Sequence, residues 1–77
     1  MAGKPRPSPC FLDDKQSLGS KSGQKVWRSE DGERLYTWDS LHGEIEVFNS
    51  RGRHLGALDA VTGILIKPAV RGRKLVI

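Results

Sequence analysis

The chain has 77 residues, 13 Lys and Arg against 9 Asp and Glu, and a formal net charge of +4. That length holds one small domain with a modest core. Its single cysteine, Cys10, excludes an internal disulfide and a cysteine-based zinc site, and no apolar run is long enough to span a bilayer.

Residues 1–24, "MAGKPRPSPCFLDDKQSLGSKSGQ", are rich in Gly, Pro, Ser and Lys. Pro5, Pro7 and Pro9 favour an extended backbone that cannot join a central strand. Phe11, Leu12 and Leu18 are too little apolar material for a core. This stretch is therefore expected to be a flexible linker or arm, with at most a short turn packed on the domain that follows. Its start has basic residues but no apolar segment of the secretory-signal type.

From Val26 the texture changes. Turn signals recur at "EDGE" (30–33), "NSRG" (49–52), "DAVTG" (59–63) and "RGR" (71–73). Between them lie "VWRS", "ERLYTWD", "EIEVFN", "HLGALD", "ILIKPAV" and "RKLVI", short segments with β-branched and aromatic residues. Short strands at regular spacing predict an all-β domain over 25–77 with little helix: a small, strongly twisted antiparallel sheet of about six strands. Nowhere does a period of 3.6 residues persist, so no long helix is expected.

Charge is unevenly spread. Residues 1–25 carry five basic and two acidic side chains, 26–50 two basic and six acidic, and 51–77 six basic and one acidic. An acidic middle lies between two basic flanks, and basic flanks attract polyanions such as RNA.

The acidic middle holds the unusual stretch, "YTWDSLHGEIEVF" at 36–48. On a strand, Ile45 and Val47 point one way while Glu44, Glu46 and Phe48 point the other; His42 joins the second face if the strand runs through Gly43. Like charges at adjacent same-face positions cost stability unless something compensates them. Such a trio suits RNA cleavage, where the ribose 2′-hydroxyl is already a neighbouring nucleophile. One base must take its proton and one acid must protonate the departing 5′-oxygen. Asp39 would hold a histidine ring, and an Arg would neutralise charge growing on phosphorus. On a straight strand His42 and Glu46 stand about 13 Å apart, so a bend near Gly43 is expected, and Glu44 competes with Glu46 as base. Tyr36 and Trp38 are candidates for stacking on bases, with Trp38 equally suited to a core. His54 is expected to hydrogen-bond a turn. No spacing matches a metal-ligand set, so no metal site and no cofactor is expected.

The run "W-x10-W-D-S-x-H-G-E-x-E" from Trp27 to Glu46, with "HLG" at 54–56, "D-x-x-T-G" at 59–63 and "GRKL" near the end, resembles the ribosome-cleaving ribonuclease domain of E-type colicins and cloacin. Related domains occur in contact-dependent inhibition toxins and S-type pyocins. The likeness runs from Val26 to Ile77. It implies a twisted antiparallel sheet and an endoribonuclease that cuts 16S ribosomal RNA at the decoding site without a metal. It also implies that Asp39, His42 and Glu46 are catalytic, with Glu46 the base and His42 the acid. The essential Arg aligns with Arg73, and Arg71 is the alternative. Phe48 stands where the family has a Tyr, without the hydroxyl that would meet RNA. Lys67, Arg71 and Lys74 join Arg73 as candidates for gripping phosphate. The implied partners are the ribosome and an acidic cognate immunity protein. The domain is then a monomer, or a heterodimer with that protein. It does not insert in a membrane; it is secreted or delivered by a producing bacterium and acts in the target-cell cytoplasm. Two readings from other classes remain: a non-catalytic RNA-binding β-module, and a module that recognises an acidic protein.

Overall fold

The computed structural model describes residues 3–21 and 23–75. A 3-10 turn at Phe11–Asp14 precedes six strands: β1 (Gln16–Lys21), β2 (Gln24–Arg28), β3 (Arg34–Asp39), β4 (Glu44–Asn49), β5 (His54–Leu58) and β6 (Leu65–Pro68). They form one antiparallel sheet in the order β1-β2-β3-β4-β5-β6. The expected all-β meander is therefore observed, because short turns between β-branched and aromatic runs let each strand pair with its chain neighbour.

One of the six strands was not anticipated, and one expected segment is not among them. Gln16–Lys21, read as part of the arm, is β1, and its side chains are almost all exposed. Its pairing uses backbone groups that polar residues supply as well as apolar ones. The apolar residues before it also do more than a linker's would: Leu12 is buried to 1% exposure, and Phe11 packs against the same cluster. At the other end, the described part of "RKLVI", residues 73–75, contributes an isolated bridge, Arg53 to Lys74. Leu75 donates its N–H to the Gly52 carbonyl, and Val76 and Ile77 lie outside the described residues.

A single sheet has two faces, and each has its own core. One face packs Trp27, Tyr36, Ile45, Val47 and Leu58 under Cys10 and Leu12 from the N-terminal segment. The other packs Val26, Leu35, Phe48 and Leu75, with Leu18 against them. This second cluster fills only one end of its face. At the other end of that face the strand pairs are Thr37 with Glu46 and Asp39 with Glu44. The candidate functional surface is thus the uncovered half of a sheet whose reverse side is sealed.

One irregularity aims a further side chain at this surface. Between the pairs Val47–Gly56 and Phe48–His54, β4 advances one residue while β5 advances two. The extra residue is a β-bulge, which reverses the side-chain alternation beyond it. Leu55 consequently packs on the sealed face, while His54 turns to the same face as Glu46 and Phe48. Beside the bulge, Gly56 sits at φ +145°, and a Cβ there would lie 2.5 Å from the Lys67 carbonyl oxygen, so β6 approaches β5 over a glycine.

Candidate active site

Asp39 ends β3 and organises the turn that follows. Its Oδ1 accepts the backbone N–H groups of Leu41 (3.0 Å) and His42 (3.2 Å), and its carbonyl accepts that of Gly43 (2.8 Å). Gly43 closes the turn at φ +69°, a conformation that glycine reaches without steric cost. His42 therefore projects from a tight turn; it is not a third residue along β4, which begins at Glu44. This is the bend that the straight-strand distance demanded. The imidazole folds back so that Nδ1 lies 2.8 Å from Asp39 Oδ2. A carboxylate only accepts, so Nδ1 carries the hydrogen and Nε2 is left for other business. The ring is 55% exposed.

Burial raises the Asp39 pKa. The hydrogen bond from the His42 ring, with those from the His42 and Leu41 amides, outweighs it and leaves the carboxyl below its ordinary range. Asp39 is held as the anion that fixes the ring.

The two glutamates on β4 each have their own cation. Glu44 Oε1 meets Lys67 Nζ of β6 at 2.9 Å, and Glu46 Oε1 accepts from Arg73 Nη1 at 2.8 Å. That answers how a small sheet tolerates like charges side by side. The other Glu46 oxygen, Oε2, lies 2.5 Å from His54 Nε2. Across the strand from Glu46, the Thr37 hydroxyl is buried with no hydrogen-bond partner among the described residues.

Asp39, His42, Glu44, Glu46, His54, Lys67 and Arg73 line one cleft of about 140 Å³, with Pro68 and Val70 at its edge. The imidazole of His42 and the carboxylate of Glu46 therefore open onto the same cleft. Of the two candidate arginines, Arg73 reaches it, while Arg71 lies exposed on the preceding turn and is not among the lining residues. Lys74 lines the adjoining hollow beyond Arg73. Asp39, His42 and Glu44 bring ligand atoms within 4.8 Å of one another, a group that the sequence spacing did not reveal because the turn folds His42 back.

The aromatic candidates are placed differently from expectation. Tyr36 and Phe48 are core residues of the two faces, each with 5% or less of its surface exposed, so neither presents a ring face for stacking. Burial raises the Tyr36 phenol pKa, against the opposing effect of Lys15 and Arg34. Strand alternation puts Tyr36 and Trp38 on the face opposite Glu46. Trp38 is half-buried, and its indole N–H donates to the Lys4 carbonyl at 2.9 Å. His54 does bond a turn, through the Val70 N–H, but its contact with Glu46 was not anticipated. The "HLG" triplet was the available signal, since Gly56 sits beside the bulge at a φ that favours glycine.

A family model described as Cytotoxic matches residues 12–76. The chain belongs to this Cytotoxic family. Within it, the chain is 44% identical to colicin E3 of Escherichia coli over 54 residues, 69% of this chain and 9% of the relative. Cloacin and colicin-E6, also of Escherichia coli, are 43% and 41% identical over stretches of the same length and coverage. The resemblance to the E-type colicin and cloacin domain is thereby shown. The chain spans only 9% of the length of these curated relatives. The family match begins at residue 12, where Leu12 enters the core.

Proposed function

We propose that this Cytotoxic-family domain is the nuclease of a bacterial toxin, an endoribonuclease that cuts 16S ribosomal RNA at the decoding site and so stops translation. The observation that carries the reading is the shared cleft: a ring held at Nδ1 and exposed beyond it, and a carboxylate flanked by Arg73.

The chemistry runs as follows. Glu46 takes the proton from a ribose 2′-hydroxyl, and the 2′-oxygen forms a bond to the neighbouring phosphorus. The bond from phosphorus to the 5′-oxygen breaks, and His42 supplies a proton from Nε2 to that oxygen. The products are a 2′,3′-cyclic phosphate and a 5′-hydroxyl, and no electron acceptor or water enters the step. Asp39 holds the imidazole through Nδ1 and so aims Nε2 at the cleft. Arg73 is within reach of both Glu46 and an incoming phosphate, so its guanidinium can meet charge growing on the non-bridging oxygens. Each glutamate is paired with its own cation; Glu46 is favoured over Glu44 as the base because its partner, Arg73, presents a planar guanidinium that can also meet the phosphate. Lys67, Arg71 and Lys74 add positive charge around the cleft for the RNA backbone.

The proposal extends to partners and place. A protein lethal to ribosomes requires an inhibitor in its maker, and the basic rim of the cleft suits an acidic immunity protein. The domain is then exported or delivered, and acts in the cytoplasm of the target cell as a monomer.

The test is incubation of intact ribosomes with the protein, and with His42→Ala and Glu46→Gln variants, followed by electrophoresis of the small-subunit RNA. A discrete fragment from the parent alone, undiminished by a metal chelator, supports the reading. Fragments from all three proteins, or from none, reject it.

A further inference from the structure

His54 is sealed in the sheet, its side chain 2% exposed, and both of its ring nitrogens are engaged. Its Nδ1 lies 2.9 Å from the Val70 nitrogen. A backbone N–H only donates, so Nδ1 accepts and carries no hydrogen. The ring's one proton is then on Nε2, directed at Glu46 Oε2. The backbone N–H of His54 donates to the Arg73 carbonyl at 3.2 Å. One residue therefore grips the turn 70–73 at both ends and the Glu46 carboxylate in between. Arg73, carried by that turn, closes the circuit on the other Glu46 oxygen.

We propose that His54 is the positioning residue of the cleft: an imidazole protonated at Nε2 alone, which holds the Glu46 carboxylate and the Arg73 turn in fixed register. The inference rests on the reading of Glu46 as the base. A carboxylate can rotate about its last bond, and each rotation moves the lone pair that must face a 2′-hydroxyl. With Oε1 on Arg73 and Oε2 on His54, the plane of the carboxylate is set before substrate arrives. The arrangement is directional. Because Nδ1 is occupied by Val70, the ring cannot present its other tautomer without breaking that bond. The β5 bulge makes this possible, since without it position 54 would face the opposite side of the sheet.

The experiment has two arms. In the first, nitrogen-15 shifts of the folded, uniformly labelled protein report the tautomer of each histidine ring; His54 is expected with Nε2 protonated and Nδ1 bare. A proton on Nδ1 overturns the proposal whatever the activity. In the second, ribosome cleavage is measured for His54→Phe, which keeps a planar ring, His54→Gln, which restores an N–H donor, and Glu46→Gln. His54→Phe is expected to lower kcat by about a hundredfold, the scale of a misplaced catalytic group, with KM unchanged, and His54→Gln to recover a substantial part. A folded His54→Phe with the parental kcat overturns the positioning role. Glu46→Gln separates the failures. If it is inactive while His54→Phe is not, only the role of His54 falls; if it stays active, the base assignment falls and the positioning role with it.

Discussion

Arg73 donates to Glu46 over 2.8 Å from a position 27 residues further along the chain. The pair joins an irregular C-terminal turn to the middle of the sheet. It also keeps the guanidinium beside the carboxylate proposed to take a proton. Replacing Arg73 by Ala is expected to lower kcat about a hundredfold or more, the scale on which one charge-stabilising donor acts. Arg73→Lys keeps the charge but loses the planar fork, and is expected to recover only part of that loss. Arg71→Ala, outside the cleft, is expected to leave kcat close to the parent's and to act only by weakening RNA binding. Steady-state cleavage by the three variants checks the order.

The Asp39–His42 contact predicts a pH signature in stability. The folded-state pKa of Asp39 lies below its ordinary value, so its contribution is present above the unfolded pKa, about 3.9, and is lost as pH falls through the lower folded value. The stability difference between the parent and Asp39→Asn should hold steady from neutral pH down to about pH 5, then shrink in more acidic solution. Urea unfolding at a series of pH values measures it. A difference that grew on acidification would contradict the sign.

Leu12 tests whether the chain ahead of the first strand belongs to the core. It is 1% exposed, while Leu18 on β1 is only half-buried. Leu12→Ala is expected to cost about 2–5 kcal/mol, and Leu18→Ala distinctly less. Chemical denaturation of each variant gives the numbers, and equal small losses would show Leu12 to be dispensable.

The extreme N-terminal segment bears on the cleft as well. Lys4 donates its N–H to the Ser40 carbonyl at 2.8 Å and accepts the Trp38 indole, bracing the turn that holds His42. Removing residues 1–9 is expected to leave the sheet folded and to lower kcat more than it weakens RNA binding. Circular dichroism, cleavage and RNA-binding assays on the shortened protein decide it.

The strand from Glu44 to Asn49 was legible because alternation is a local property: Ile45 and Val47 must bury, so Glu44 and Glu46 must face elsewhere. His42 was legible as a residue of the site but not as to its position, which depends on a turn built from Asp39 side-chain and backbone bonds. Tyr36 was read as a stacking residue and lies in the core instead, because an aromatic residue in an alternating strand suits either place. The role of His54 was hidden for a different reason. Its facing is set by a bulge, and a bulge exists only in the register between two strands. β1 escaped notice because an edge strand with polar side chains has no hydrophobic period to betray it.

The strand order has a consequence for how the domain recovers its shape. Every ladder joins segments adjacent in the chain, so each can zip up by closing only a short loop, at small entropic penalty. If the protein is unravelled, by denaturant or by passage through a narrow pore, the ribbon can rewind hairpin by hairpin. The pieces left until last are those that reach across it, Leu12 onto one side and Arg73 with Leu75 onto the other. Stopped-flow refolding should then show the sheet's circular-dichroism signal returning before ribosome-cutting competence does.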